Sequence, residues 1–256
     1  MSNTAKAFQN GKAFIPFVTA GDPCLDITKE LVLGMAEAGA DLIEIGIPFS
    51  DPVAEGPVIQ AADERALKGG VTTDAIFEMV KEIRGECVIP LAFMTYLNPI
   101  YVYGVKRFLQ RCKECKIDAL IVPDLPYEEK QELSSDCLEN GVDLISLIAP
   151  TSEERIKTIA KEAQGFLYCV SSMGVTGVRS EIKTDIGAMM SHVRAVSDIP
   201  CAIGFGISTP QQAKAMVQSA DGVIVGSAIV KLCEQYGADC IEPVLEFVRE
   251  MKRAIS

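Results

Sequence analysis

The chain has 256 residues, of which 48% are hydrophobic and 6% aromatic, and its formal net charge is −11. The length is close to the roughly 250 residues of a complete eightfold α/β barrel, and the apolar fraction is too high for a disordered chain. An acidic surface repels nucleic acid and anionic membranes, so neither is expected as a partner.

The apolar runs and the cysteines indicate a cytoplasmic protein. Residues 1–12 are polar and lack the apolar stretch of a signal peptide, and no apolar run reaches the roughly 18 residues of a membrane span. The nine scattered cysteines, an odd number, favour reduced thiols. No linker or composition break divides the chain, which predicts one domain over residues 1–256.

Short β-branched runs alternate with longer amphipathic stretches, as in a parallel sheet covered by helices. Eight such runs predict a single-domain (β/α)8 TIM barrel, and an open doubly wound sheet is the alternative. The predicted strands are Phe14–Thr19, Leu42–Gly46, Val88–Thr95, Ala119–Val122, Leu144–Ile148, Phe166–Val170, Cys201–Phe205 and Gly222–Val225.

A weak internal repeat supports this count. Each copy reads as a tight helix-to-strand turn, and the copies are Gly39–Ile43, Ile117–Ile121, Gly141–Ile145 and Ala220–Ile224. Two strand-to-helix connections, Ile47–Pro57 and Ser171–Asp185, are unusually long. Barrel enzymes carry their active sites on loops at the carboxyl ends of the strands, so we expect the active site there.

Several chemistries lack the residues they need. His192 is the only histidine, so no metal site can be built mainly on imidazole, and Cys112 and Cys115 form a lone CxxC within a helix-like segment. Neither GxGxxG after a strand nor GxxxxGK[ST] is present, and no lysine ends a predicted strand. Acid–base catalysis by carboxylates and tyrosines, without metal or cofactor, remains.

Glu44 is the strongest candidate for an acid or base. Successive side chains of a strand point to opposite faces, so Ile43, Ile45 and Ile47 can pack against helices while Glu44 enters the barrel lumen near its mouth. Partial burial there should raise its pKa into the range useful for proton transfer. The alternative is a structural carboxylate bonded to backbone groups.

The loop after Glu44 brings two more carboxylates, Asp51 and Glu55, to the same mouth, although either could simply be solvated. Tyr168 is a phenol within an apolar run, two residues before the end of the sixth predicted strand. It is a further candidate, and a core tyrosine with a bonded hydroxyl is the alternative.

Two glycine-bearing turns predict a phosphate site without basic residues. Gly226 and Ser227 lie where strand eight meets a helix, whose first amides and dipole attract anions. Strand seven ends in Gly204-Phe205-Gly206, followed by a capping-box pattern from Thr209 to Gln212. Tight packing is the alternative for the glycines. These residues together indicate a lyase or isomerase acting on a phosphorylated small molecule.

The sequence closely resembles the tryptophan synthase α family in motifs that run in order across nearly the whole chain. The matching segments are Phe14–Pro23, Glu44–Pro52, Val122–Pro126, Gly174–Gly177, Gly204–Ser208 and Gly226–Lys231. A set of this kind is far more specific than a likeness of fold.

The resemblance implies roles for individual residues. Glu44 and Tyr168 match the family's catalytic glutamate and active-site tyrosine, and Glu55 matches a catalytic loop carboxylate that faces the indole N–H. The expected indole pocket and its lid are formed by Phe17, Met94, Tyr96 and Thr176. The expected phosphate-side residues are Gly177, Gly204, Phe205, Gly206, Gly226 and Ser227.

The implied reaction is a cofactor-free retro-aldol cleavage of indole-3-glycerol phosphate into indole and glyceraldehyde 3-phosphate. One departure from the family pattern matters: Glu55 stands where most of the family has aspartate. The extra methylene can misplace the charge, and we interpret it as an accommodated variant. The segment before Phe14 is short, so the family's extra N-terminal helix is expected to be reduced.

The resemblance also implies a β subunit as partner, in an α2β2 assembly, with Asp51, Pro52 and Asn98 as candidate contacts on the rim. Two rival functions remain at this point. One is a barrel with weakened catalysis that acts mainly as an allosteric partner. The other is a different phosphosugar barrel, such as an epimerase or a phosphoribosylanthranilate isomerase.

Overall fold

The computed structural model describes residues 2–170, 186–204 and 206–256. Its eight parallel strands form a closed barrel in chain order, and β1 pairs with β8. The prediction of a single-domain (β/α)8 TIM barrel is confirmed, and the open-sheet alternative is wrong. The eight strands are β1 Ala13–Thr19, β2 Ile43–Gly46, β3 Leu91–Met94, β4 Ala119–Ile121, β5 Asp143–Ile148, β6 Leu167–Val170, β7 Cys201–Gly204 and β8 Gly222–Val225.

Helices cover the outside of the barrel, and a helix of four residues precedes β1, in line with the expected reduction. In the described part of the chain the α-helices are α1 Asn3–Lys6, α2 Leu25–Glu37, α3 Pro57–Lys68, α4 Thr73–Glu86, α5 Leu97–Tyr103, α6 Val105–Glu114, α7 Gln131–Asn140, α8 Glu153–Glu162, α9 Ile186–Arg194, α10 Pro210–Met216, α11 Ser227–Tyr236 and α12 Ile241–Ile255. Short 3₁₀ helices cover Tyr127–Glu129 and Gly237–Asp239.

The third strand differs from its prediction. It begins at Leu91 rather than Val88, and Val88 is 96% exposed. Proline cannot donate to a sheet ladder, and Pro90 uses its carbonyl to accept from the Ile43 amide at the first residue of β2. The described strand pairings of β3 begin at Leu91 and include none of the residues before Pro90, although these have the β-branched character of a strand. The bounds of the other strands lie within one residue of those predicted, and Phe205 lies outside the described residues.

Two apolar layers fix which strand residues face the lumen. Ile43, Ile45 and Ile47 belong to the large core between barrel and helices, as the alternation in β2 predicts. The lumen holds a separate cluster with several small residues, including Ala13, Ala92, Ala119 and Ala202. Glu44 pairs in register with Phe17 of β1 and Ala92 of β2's other neighbour, β3. It therefore occupies an inward position above the filled part of the lumen.

The turn motif that repeats along the sequence joins neighbouring strands at the amino-terminal end of the barrel. Asp41, Asp118 and Asp221 stand at the amino-terminal ends of β2, β4 and β8, and each exchanges two hydrogen bonds with a residue of the preceding strand. The aspartate carboxylate accepts a hydrogen bond from the backbone amide of the strand residue. The backbone carbonyl of the same strand residue accepts a hydrogen bond from the backbone amide of the aspartate. Each carboxylate also binds a cation from a helix. The strand residues and their cations are Phe14 with Lys252, Leu91 with Arg84, and Cys201 with Arg194.

Of the three ion pairs, Arg84–Asp118 should contribute most to the stability of the fold, because its side chains are only 9% and 11% exposed and lie 2.7 Å apart. Arg84→Ala should lower the free energy of unfolding by about 3 kcal/mol, since it leaves a nearly buried carboxylate without its counter-charge. Arg249→Ala is the control, because Arg249 pairs with Glu242 at the surface and should cost less than about 1 kcal/mol. Urea denaturation measures both, and equal losses would contradict the contribution expected of Arg84–Asp118.

Candidate active site

The pocket at the mouth of the barrel brings together most of the residues predicted to act on substrate. Seven of them line it: Phe17, Glu44, Met94, Tyr168, Gly206, Gly226 and Ser227. They come from β1, β2, β3, β6 and the turns after β7 and β8. Residues far apart in the sequence thus meet because every parallel strand ends at the same rim.

Glu44 is an isolated carboxyl group in this pocket. Its side chain is 2% exposed, and its Oε1 has no hydrogen-bond partner among the described residues. Burial raises the pKa of Glu44 from its usual value near 4.5 to about 8, because an ionised carboxylate loses its hydration there. At neutral pH the group therefore keeps its proton and can act as a general acid.

Tyr168 lines the other side of the pocket, because β6 stands opposite β2 in the closed order of eight strands. Burial, followed by the negative charge of Glu44, raises the pKa of the phenol well above its usual value, so it stays neutral. Gly204 on the neighbouring strand makes room for it, because a Cβ at that position would lie 2.5 Å from the Tyr168 hydroxyl oxygen. Gly204 thus supports the pocket from behind the tyrosine and does not line it.

Between β6 and β2, the pocket wall continues in the turn from β8 into α11. Gly226 is the N-cap of α11, and a Cβ there would stand 3.2 Å from the Phe17 ring. Ser227 opens the helix, whose first turn leaves backbone amides without acceptors inside the helix. Gly206 has a φ of +83°, which favours glycine. The turn offers amides and a helix dipole to an anion, as the sequence predicts.

Glu55 and Tyr96 lie beside the pocket and do not line it. Glu55 is 3% exposed and bonds to Asp63 and to Tyr96, while its Oε2 has no partner among the described residues. The Tyr96 hydroxyl accepts from the Ala54 amide at 3.1 Å, and its ring packs on Phe49. The loop carboxylate is thus buried and bonded, unlike Asp51, which is exposed and bonds to Ser50.

Buried polar groups point to the same end of the barrel. Four buried side-chain oxygens in the described residues lack a hydrogen-bond partner, and all belong to the carboxyl-terminal parts of the first three strands or to the loop after β2. They are Thr19 Oγ1, Glu44 Oε1, Glu55 Oε2 and Thr95 Oγ1. Unpaired buried oxygens are rare in folded proteins, and of these four only Glu44 Oε1 belongs to a residue that lines the pocket, where a polar ligand would supply the missing bond.

A larger cavity lies away from these groups, between β5, the segment before α7, and α8. Its walls are mostly apolar, and its two cations, Lys130 and Arg155, are already paired with Glu162 and Glu128. None of the described residues that line it carries a carboxyl group. We therefore place the chemistry at the smaller pocket, where an isolated acid and an anion-binding turn face each other.

Three predicted residues lie outside the described parts of the chain: Thr176, Gly177 and Phe205. The predicted partner contacts lie on the rim, where Asp51 and Asn98 are exposed and Pro52 is half-buried. No group of three metal-binding side chains occurs in residues 2–170, 186–204 and 206–256, and no helix in these segments is long and apolar enough to cross a membrane.

The sequence interpretation missed four residues at the site. Ile59, Ile207 and Ile224 line the pocket, and Asp63 bonds to Glu55. Ile224 could have been found, because it sits at an inward position of β8. Ile59 and Asp63 belong to α3. They could not have been found from the sequence, because packing between distant elements decides which side of that helix faces the mouth.

Comparison with known proteins agrees with this geometry. A sequence model of the family described as "Tryptophan synthase alpha chain" matches residues 3–256. The chain is 46% identical to the tryptophan synthase alpha chain of Lacticaseibacillus casei over 255 residues, which cover 100% of this chain and 96% of that one. It is 48% identical to the alpha chain of Lactiplantibacillus plantarum over 256 residues, with 100% and 97% coverage.

Solved structures give the same result. The crystal structure of the tryptophan synthase alpha chain from Legionella pneumophila matches with a TM-score of 0.89 and 37% identity, covering 100% of this chain and 97% of that one. A chain of the tryptophan synthase complex from Pyrococcus furiosus matches with a TM-score of 0.85 and 36% identity, covering 94% and 98%. On the motifs, the closed barrel and these full-length matches, the chain belongs to the tryptophan synthase alpha chain family.

Proposed function

We propose that this chain cleaves indole-3-glycerol phosphate into indole and glyceraldehyde 3-phosphate by acid–base catalysis, in tryptophan biosynthesis. The observation that carries the proposal is the buried, protonated Glu44 carboxyl group, which faces an anion-binding turn across one pocket. A phosphorylated substrate fits with its phosphate at Gly226 and Ser227 and its ring between Phe17 and Met94. Membership of the family supports the same reaction.

The reaction needs one proton to travel from the glycerol chain to the indole ring. Glu44 gives its proton to carbon 3 of the ring, and the positive charge moves to the ring nitrogen. The resulting Glu44 carboxylate takes the proton of the hydroxyl next to the ring, the bond between carbon 3 and the glycerol chain breaks, and its electron pair returns to the ring. Glu44 ends protonated as it began, so the step needs no external acid or base.

Three further roles follow from the site. The Tyr168 phenol, neutral beside Glu44, orients the acid toward the ring. The carboxylate of Glu55 faces the ring N–H and stabilises the charge that develops there. Glu55 stands beside the wall of this pocket, near the end of loop 47–56. The amides of Gly206, Gly226 and Ser227 hold the phosphate, together with Gly177.

Replacing Glu44 tests the reaction directly. Glu44→Gln keeps the side-chain shape but removes the transferable proton, so indole release should fall by at least about 100-fold and up to about 10⁴-fold or beyond. Affinity for glycerol 3-phosphate should not change, because the phosphate turn is intact. Glu64→Gln, on the exposed side of α3, is the matched control and should keep wild-type turnover.

More than about a tenth of wild-type turnover in Glu44→Gln would overturn the assignment of the acid. Absence of indole release from the wild-type chain, tested alone and with a tryptophan synthase β subunit, would overturn the proposed reaction itself.

We further propose that a β subunit docks on the rim of this pocket, in an α2β2 assembly, and activates the chain. Apolar side chains are exposed there: Val53 is 71% exposed on loop 47–56, and Val102 is 80% exposed on α5. The two segments are tied together, since the Ala54 amide donates to Tyr96 next to α5. Exposed apolar groups on one rim are typical of a protein interface. The predicted contacts Asp51, Pro52 and Asn98 belong to the same segments.

A charge on this rim should weaken the assembly. Val102→Asp is expected to reduce activation by a β subunit and the amount of complex in sedimentation by at least about 10-fold, because a charge would have to be buried in an apolar contact. Val88→Asp is the control, because Val88 is 96% exposed before the first residue of β3, at the opposite end of the barrel. Equal effects of the two substitutions would contradict docking at the mouth.

A further inference from the structure

Two carboxyl groups that come from different elements meet beneath the loop after β2. Glu55 ends this loop and is 3% exposed, and Asp63 lies two turns into α3 and is 5% exposed. Their side chains are hydrogen-bonded to each other. Acidic side chains are rarely buried without a cation, and among the described residues neither of these two forms a salt bridge.

Asp63 touches both ends of loop 47–56. Its carboxyl group accepts from the backbone of Phe49 near the start of the loop and bonds to Glu55 at its end. Tyr96 closes the arrangement, since it bonds to Glu55 and accepts from the Ala54 amide. Gln60 adds a bond from its side-chain amide to the Glu55 carbonyl at 2.7 Å. Asp63 of α3 thus lies beside both ends of the loop, and Tyr96 and Gln60 add bonds to its end.

Two carboxyl groups can bond to each other only if a proton lies between them, because two carboxylates offer acceptors alone. Burial is the main cause that raises the pKa of both groups, and the charge of Glu55 helps raise the pKa of Asp63 to about 9. The negative charge of Asp22 also raises the pKa of Asp63. Asp22 itself forms a salt bridge with Arg65 at 2.8 Å. At neutral pH Asp63 therefore holds a proton, which it can donate to Glu55.

We propose that Asp63 is a positioning residue that holds the catalytic loop carboxylate of Glu55 in place through a shared proton. This inference rests on the proposed function, which gives Glu55 the task of facing the indole N–H. Glu55 is one methylene longer than the aspartate usual in the family, and a longer side chain has more positions to choose from. The bond to Asp63 fixes one of them and leaves Oε2 without a partner for the substrate.

A double-mutant cycle tests whether Asp63 acts through Glu55. Asp63→Ala should lower the turnover of indole release by about 10- to 100-fold, the loss of one hydrogen bond to a charged group, with unchanged affinity for glycerol 3-phosphate. In the Glu55→Ala background, Asp63→Ala should cause no further loss. Asp63→Asn should stay within a few-fold of wild type, because its amide can donate to Glu55 while its carbonyl accepts from Phe49. Glu64→Ala is the neighbouring control on α3.

A measurement without substrate tests the shared proton by itself. The infrared spectrum at neutral pH should contain a protonated-carboxyl band that disappears in Asp63→Asn and persists in Glu44→Gln, which should remove a different band. Persistence of every band in Asp63→Asn would overturn the proposal, as would wild-type turnover in Asp63→Ala or additive losses in the double mutant. If Asp63→Ala does not fold, Asp63→Asn and the infrared spectrum decide. A wild-type chain without indole release would instead contradict the proposed function, and the infrared result would still test the pair.

Discussion

The rest of the site depends on the burial of a single carboxyl group, that of Glu44. The alternation of β2 places its neighbours in the outer core and leaves Glu44 inside a lumen that is otherwise apolar. No described residue bonds to its Oε1, so the proton is retained up to about pH 8. A chain with one histidine and no lysine at its predicted strand ends thereby holds a carboxyl group that is protonated at neutral pH.

The loop carboxylate of Glu55 is also buried, but a neighbouring carboxyl group lies beside it. Burial alone acts on Glu44, whereas Glu55 lies beside Asp63, whose raised pKa of about 9 leaves it protonated at neutral pH. The isolated acid reduces stability in alkaline solution. Because the folded pKa of Glu44 lies above its usual value near 4.5, its burial costs nothing below that pH, and stability falls as the pH rises from there toward 8. The loss is about 1.4 kcal/mol per pH unit within this window.

Local patterns in the sequence were enough for the barrel, for the inward position of Glu44 and for the glycine turn into α11, since period-two alternation and glycine before a helix are properties of short segments. Features that depend on contacts between distant segments were not accessible in this way. Val88 has the composition of a strand but no neighbour to pair with. Asp63 reads as an ordinary surface residue of α3, because its contact with Glu55 depends on how the helix packs beneath the loop.

The protonation state of Glu44 is therefore the quantity to measure. Carbon-13 NMR of protein labelled at the glutamate side-chain carboxyl follows each group through a pH titration, and the signal missing in Glu44→Gln identifies Glu44. The account predicts a titration midpoint near pH 8, far above those of the exposed glutamates. A midpoint near 4.5 would contradict it, because Glu44 would then be ionised at neutral pH and could not donate the proton on which the proposed cleavage depends.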